Sequence, residues 1–162
     1  MQILRANLRI NMQPKWHIFG GFVFAVLLVE FFSFSLIAGL VVFLSSIFID
    51  LDHATRYTIK TGNWNPRRFW KLSVENWVAY RKLSLKEKKK RGYPFFFLHG
   101  IEALLILFFV GLKYPFVHWI FIGFLFHMIL DYVQIFDESY PFMLKFSEWW
   151  ILWRNFGKES LC

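Results

Sequence analysis

Three long apolar blocks limit what this chain can fold into. They cover residues 18–49, 95–112 and 116–136. A helix needs about 20 mostly apolar residues to cross the hydrocarbon core of a bilayer, so the second and third blocks each predict one span. The chain is also 57% hydrophobic, whereas an ordinary soluble domain has roughly 45–50% apolar residues. We therefore expect an all-α integral membrane protein, with residues 1–162 forming one membrane domain.

The first block is interrupted near its middle. It is 32 residues long, with Glu30 and a Phe/Ser run at residues 31–35 in its centre. This length is too great for one straight span and short for two. We predict a helical hairpin with arms at residues 18–32 and 34–49, which completes a four-helix transmembrane bundle. A cleaved signal peptide is the alternative, but its apolar region has only about 7–15 residues.

Basic residues are concentrated between the first two blocks. Residues 54–94 contain twelve Lys or Arg and only two Glu. Cytoplasmic loops of membrane proteins carry an excess of Lys and Arg. We therefore place this basic loop on the cytoplasmic side of the cell membrane, together with the N-terminus, which carries Arg5, Arg9 and Lys15. Two segments on one side require an even number of crossings between them, which also favours the hairpin.

The charge of the basic loop and its position between apolar spans indicate which partners it binds. Anionic lipid headgroups are favoured over nucleic acid, because apolar spans flank the loop. Within it, Asn65-Pro66 is a helix start signal, and the tryptophans that follow predict a helix on the membrane surface. Aromatic residues at intervals of three or four predict another interfacial helix at residues 140–157, and residues 1–16 carry a weaker signal. Assembly into a homo-oligomer stays open.

Seven of the acidic and imidazole side chains in or beside the apolar blocks form a predicted cluster. An ionisable group at membrane depth is costly and is a functional-site hypothesis by default. The predicted fold brings all seven to the cytoplasmic side. They are His17, Asp50, Asp52, His53, His99, His127 and Asp131. Since His and Asp are ligands of zinc and related divalent ions, we predict a site for one or two such ions, most simply zinc.

Helical spacing separates these side chains by role. His127 and Asp131 are four residues apart and Asp50 and His53 are three apart, so each pair shares a helix face. Asp52 points about 200° away from Asp50 on a continuous helix. It can join the site where the helix frays, bind a second ion, or orient a ligand histidine. The six predicted metal ligands are His17, Asp50, His53, His99, His127 and Asp131.

Two carboxylates are candidates for a general base. They are Asp52 and Glu102, the latter a turn deeper than His99 on the same face. Structural alternatives remain for the other groups. His17 beside Trp16 fits an interfacial anchor, and His99, His127 and Asp131 could form a hydrogen-bonded network without an ion. The single cysteine, Cys162, rules out a Cys-based zinc site within one chain.

The order of these motifs resembles that of a known family, the YdjM-like membrane-bound metal-dependent hydrolases. Its members show an early Gly/Thr-His, then Pro-Asp-x-Asp-His, His-Arg-Gly-x-Thr-His-Ser and a late His-x-x-x-Asp. The counterparts here are Trp16-His17, Ile49-Asp50-Leu51-Asp52-His53, Leu98-His99-Gly100 and His127-Met128-Ile129-Leu130-Asp131. Ile49 replaces the family's proline, and the third motif keeps only its second histidine.

The resemblance implies an activity. That family is distantly similar to the zinc-dependent phospholipase C and single-strand nuclease group, in which His and Asp residues hold zinc ions that hydrolyse phosphate esters. It therefore implies a metal-dependent hydrolase that acts on a lipid or other amphiphilic phosphoester at the cytoplasmic membrane face. The alternative is a metal-stapled scaffold without activity, or a protein with a degenerate site that recruits a partner.

Overall fold

A computed structural model describes residues 14–84, 87, 95–138 and 146–156 of the chain. Helices dominate these residues, which confirms the all-α prediction over the described part. The helices are α1 (Pro14–Phe32), α2 (Leu36–Phe48), α3 (Leu51–Thr61), α4 (Pro66–Arg81), α5 (Ile101–Lys113), α6 (Pro115–Glu138) and α7 (Glu148–Asn155). The interfacial segment predicted at residues 1–16 lies almost entirely outside the described residues.

The predicted N-terminal hairpin is formed by α1 and α2, which pack against each other. The chain reverses at Ser33, whose φ of 57° lies in the left-handed region. Ser35 then caps α2, because its hydroxyl accepts a hydrogen bond of 3.1 Å from the Ala38 N–H. The serines that interrupt the first apolar block therefore make the turn between its two arms.

Helix α6 has the most extensive packing. It contacts α2 and α5, and it touches α1 over a smaller area. A buried cluster between these helices contains Ile49, Leu104, Phe124 and Met128. Because α1, α2, α5 and α6 lie side by side, polar residues near one end of each helix are brought together.

Gly123 lets α2 and α6 approach closely. A Cβ atom there would lie 2.5 Å from the Val42 carbonyl oxygen and would overlap the Ser45 hydroxyl. We expect Gly123→Val to lower the free energy of unfolding by about 1–3 kcal/mol, because the two helices must move apart. Thermal unfolding tests this, with Leu125→Val at an exposed position of α6 as the control. Equal midpoints for the two variants would contradict the close contact.

Two helical stretches are long and apolar enough to cross a membrane. They are Leu36–Thr61, which joins α2 and α3, and Pro115–Ile135 within α6. A third apolar stretch, Trp16–Phe32, is shorter. Large apolar side chains such as Phe31 and Leu36 project outward from the hairpin. The length and composition of these helices and the exposed apolar side chains are the structural evidence for a membrane protein.

The third predicted span differs from the structure. It was expected at residues 95–112, but α5 begins only at Ile101 and has 13 residues. Such a helix measures about 20 Å, less than a bilayer core of about 30 Å. Residues 95–100 form turns instead, in which the His99 N–H donates to the Phe96 carbonyl. The described residues thus contain two full-length candidate spans rather than the four of the predicted bundle.

The basic loop begins with α3 and α4. The Asn65-Pro66 start signal is confirmed, because Asn65 Oδ1 accepts hydrogen bonds of 3.0 and 3.2 Å from the N–H groups of Arg67 and Arg68. Most of the remaining loop, residues 85, 86 and 88–94, lies outside the described residues. Of the helix predicted at residues 140–157, the described portion is 146–156, which contains α7.

Candidate metal centre

The His and Asp side chains singled out in the sequence come together in space. His17 comes from α1, Asp50 and His53 from the start of α3, His99 from the turn before α5, and His127 and Asp131 from α6. Two triads could each hold a metal ion. One is His17, His127 and Asp131, and the other is Asp50, His53 and His99. The structure therefore brings all six residues, which lie far apart in the sequence, close together.

The Oδ1 atom of Asp50 lies at the centre of the second triad. It is 3.4 Å from His99 Nε2, 3.5 Å from His127 Nε2 and 3.6 Å from His53 Nε2. Because His127 belongs to the first triad, this single oxygen also connects the two triads. Asp50 can therefore act as a shared ligand.

Asp131 connects the triads from the opposite side. Its Oδ1 is 3.7 Å from His17 Nε2. Its Oδ2 is 3.6 Å from His127 Nε2 and 3.8 Å from His99 Nε2. The imidazole rings of His17 and His127 stack with their centroids 4.4 Å apart. One carboxylate thus faces imidazoles from three chain segments.

These separations fit ligands around an ion better than they fit direct hydrogen bonds. A nitrogen–oxygen hydrogen bond is about 2.7–3.2 Å long, and the distances around Asp50 and Asp131 are 3.4–3.8 Å. Two ligand atoms at about 2.1 Å from a tetrahedral zinc ion are separated by about 3.4 Å. The residues of each triad could therefore hold a metal ion.

Two of the histidines are oriented by hydrogen bonds from Nδ1, the ring nitrogen that does not face the carboxylates of Asp50 and Asp131. The Nδ1–H of His127 donates to the Ser46 carbonyl at 2.7 Å, and the Nδ1–H of His99 donates to Asp52 Oδ2 at 3.0 Å. With Nδ1 engaged in this way, Nε2 of each ring faces the carboxylates of Asp50 and Asp131, as in metal sites with a supporting shell. Nε2 of His127 is buried and has no hydrogen-bond partner among the described residues.

The site is open on one side only. His17, His99, His127 and Asp131 are buried. By contrast, 35% of the Asp50 side chain and 28% of the His53 side chain are exposed. Catalytic metal sites keep a position open for water or substrate, whereas structural sites are closed by protein ligands. The opening at Asp50 and His53 is where a small molecule could reach the ligands.

The two general-base candidates are placed differently. Asp52 touches the site indirectly, because its Oδ2 accepts from the His99 ring and, at 3.0 Å, from the Leu98 N–H. Of the three roles that the helical spacing left open for Asp52, these hydrogen bonds correspond to the third, the orientation of a ligand histidine. Glu102 does not reach the ligand cluster. Its carboxylate accepts hydrogen bonds from the Ser147 hydroxyl and the Glu148 N–H at 2.6 and 3.2 Å, and so caps α7.

Two groups that support the site were not predicted from the sequence. The Ser46 carbonyl could not be found, because every residue carries a carbonyl and no residue type marks its use. The sequence predicts Glu148 as part of an interfacial helix and gives it no role at the site. In the structure it is buried, and its Oε2 accepts a 3.0 Å hydrogen bond from the Phe96 N–H. The Phe96 ring also packs against the His53 ring at a tilt of 32°, with ring centroids 3.8 Å apart. An acidic residue in an aromatic segment was the only available signal.

The ionisation of Glu148 should make the stability of the ion-free protein depend on pH. Burial, aided by the charges of Glu102 and Asp52, raises the pKa of Glu148 from 4.5 to about 7, although the Phe96 N–H and His99 partly offset this. The protonated carboxyl is thus favoured in the folded state. Its stabilising contribution is complete below the unfolded pKa of 4.5 and is lost as the pH rises through about 7.

We therefore expect unfolding midpoints of the ion-free protein to fall between about pH 5 and about pH 8. Glu148→Gln should flatten this fall, because the amide imitates the neutral carboxyl. Thermal unfolding with chelator present, at several pH values, measures the difference between the two proteins. Parallel curves over this interval would show that Glu148 does not titrate there.

Four chain segments thus supply a partly open set of His and Asp ligands, and Asp52 and Ser46 orient two of the rings. The chain was also compared with known proteins. No protein-family model, curated protein or solved structure matches it.

Proposed function

We propose that this chain is a membrane-bound, metal-dependent hydrolase of the YdjM-like type that acts on a phosphoester. The observation that carries the proposal is the spacing of 3.4–3.8 Å between imidazole Nε2 atoms and the oxygens of Asp50 and Asp131. One or two divalent ions, most simply zinc, would be held by the six predicted ligands. An ion there would polarise a phosphoryl oxygen and activate water for attack.

The protein's own residues would bind and orient the substrate. The exposed edge formed by Asp50 and His53 admits it. Next to that edge, the Arg56 guanidinium lies 5.7 Å from the centroid of the Phe96 ring, which packs against His53. A guanidinium is suited to bind phosphate oxygens. We therefore assign substrate anchoring to Arg56 and to the basic loop.

Asp52 is the better of the two general-base candidates. One of its oxygens orients His99. The other, Oδ1, is buried, has no hydrogen-bond partner among the described residues, and lies 3.9 Å from His53 Nε2. Both oxygens of Glu102 are engaged at the start of α7. We therefore propose Asp52, and not Glu102, as the group that accepts a proton.

The membrane placement belongs to the same proposal. The chain would cross the cell membrane several times, with its N-terminus and basic loop cytoplasmic and with α4 and α7 at the headgroup boundary. On α7, 72% of Trp149 and 78% of Trp153 are exposed, as expected for tryptophans at a membrane interface. A site at this depth suits an amphiphilic phosphoester whose headgroup reaches the open edge while its tail stays in lipid.

A substrate screen tests the activity. We expect the purified, metal-loaded protein to hydrolyse at least one phosphomonoester or phosphodiester in lipid vesicles or detergent, and a chelator to remove this activity. A variant with both His127 and Asp131 replaced by Ala is the matched inactive control. Turnover that survives in the control would point to a contaminant. A tightly bound ion without turnover on any ester would favour the metal-stapled scaffold.

A further inference from the structure

The turn that carries His99 is held from two sides. On one side Asp52 of α3 accepts from the Leu98 N–H and the His99 ring. On the other side Glu148 Oε2 accepts from the Phe96 N–H at 3.0 Å, and the Phe146 carbonyl accepts from the Ile101 N–H at 2.8 Å. The position of His99 therefore depends on the segment at residues 146–148 as well as on α3.

The Glu102 carboxylate of α5 holds the chain at the start of α7 in place. Its Oε1 accepts from the Ser147 hydroxyl at 2.6 Å and from the Trp149 N–H at 3.3 Å, and its Oε2 accepts from the Glu148 N–H at 3.2 Å. These donors lie at the N-terminus of α7, where the helix dipole favours a negative charge. The Ser147 hydroxyl also accepts from the Trp150 N–H at 3.2 Å. Three residues at the start of α7 thus depend on one carboxylate of α5.

Close packing at Gly100 makes this connection rigid. A Cβ atom at Gly100 would lie 2.9 Å from Glu148 Cγ and 3.2 Å from the Glu148 nitrogen, and it would overlap the Glu102 carboxylate. The turn after His99 therefore lies directly against both glutamates. Neither carboxylate belongs to the two ligand triads, so neither is needed to bind an ion directly.

We infer that Glu102 and Glu148 are positioning residues that clamp α7 to the His99 turn and thereby hold His99 in place as a metal ligand. This inference rests on the proposed metal site and adds residues that act through another residue. Glu148 acts on the turn through the Phe96 N–H. Glu102 acts one step further away, through the backbone of Glu148.

The two carboxylates should therefore differ in how they respond to substitution. Glu148→Ala removes the acceptor for the Phe96 N–H, whereas Glu148→Gln keeps an acceptor oxygen at the same position. Ion affinity should fall about tenfold or more in the first variant and stay near that of the unaltered protein in the second. Glu102→Ala, which leaves Glu148 in place, should reduce affinity by an intermediate factor.

The experiment is a competition titration of full-length protein in detergent, with Co²⁺ as probe and a chromophoric chelator as competitor. The visible spectrum of bound Co²⁺ reports the ligand set and should change in Glu148→Ala. Glu30→Ala is the control, because Glu30 is exposed and about 20 Å of helix separates it from His17. If Glu148→Ala does not fold, Glu102→Ala against the Glu30 control provides the test.

Equal affinity and an unchanged Co²⁺ spectrum in Glu148→Ala and Glu102→Ala would overturn the clamp while leaving the metal site intact. A lower melting temperature with unchanged ion binding would likewise reduce the glutamates to a structural role. Failure of the unaltered protein to bind Co²⁺ would overturn the proposed metal site, and the inference with it. The expected pattern, loss in both Ala variants with rescue by Glu148→Gln, supports both.

Discussion

Replacing His127 and Asp131 together by Ala should abolish tight ion binding. Both residues are buried on the same face of α6, and between them they approach every other predicted ligand except His53. Their loss removes one imidazole and the carboxylate that faces both triads. Metal analysis after gel filtration should fall from at least one ion per chain to almost none, because the first triad keeps only His17 and the second triad loses the two neighbouring groups, His127 and Asp131, that complete the ligand set around it.

A matched control makes this result specific. His118 lies on the same helix but packs against Phe108 and Phe121, with ring centroids 6.0 and 6.2 Å apart. It is not a member of either ligand triad. His118→Gln should therefore keep the full ion content. Retention of the ion by the variant that lacks His127 and Asp131 would eliminate the proposed site.

Asp52→Ala should weaken ion binding by about 10–100-fold without removing any predicted ligand. Asp52 holds the Nδ1–H of His99 at 3.0 Å and the Leu98 N–H at the same distance. Without this carboxylate the His99 ring can rotate, and its Nε2 becomes less basic. Isothermal titration with Zn²⁺ against a competing chelator measures the change.

Two further variants separate orientation from general loss of charge. Asp52→Asn keeps an acceptor oxygen for both donors, which bond to the same atom, Oδ2, but it removes the negative charge, so its affinity should lie between those of Asp52→Ala and the unaltered protein. Glu75→Ala removes an exposed carboxylate of α4, which pairs only weakly with Lys71 at 4.0 Å, and should change nothing. Unaltered affinity in Asp52→Ala would show that His99 needs no partner on Nδ1.

The convergence of the site was predictable from the sequence because it follows from chain direction and charge. Basic residues on both sides of the first apolar block predict an even number of crossings, and its length permits a hairpin. His17 and Asp50 therefore had to lie near the same end of α1 and α2. The spacing of four between His127 and Asp131 then placed both side chains on one face of α6.

The roles of individual carboxylates were not predictable in the same way. Asp52 and Glu102 are both acidic residues beside predicted ligands, and helical spacing gives no partner outside the helix. Their partners come from 46 and 45 residues away, at Leu98 and Ser147. The turn that carries His99 was not predicted either, since apolar residues 95–98 resemble the start of a span. The N–H groups of Phe96 and Leu98 instead bond to Glu148 and Asp52, which the sequence pattern does not encode.

The central claim is that His and Asp side chains from separate segments form one metal centre, and anomalous diffraction tests it most directly. Crystals of the full chain grown with Zn²⁺ should show an anomalous peak at the zinc absorption edge among the Nε2 atoms of His99 and His127 and the carboxylates of Asp50 and Asp131. A second peak near His17 would indicate two ions. Absence of a peak in this cluster, with zinc bound only elsewhere such as at His118, would contradict the account.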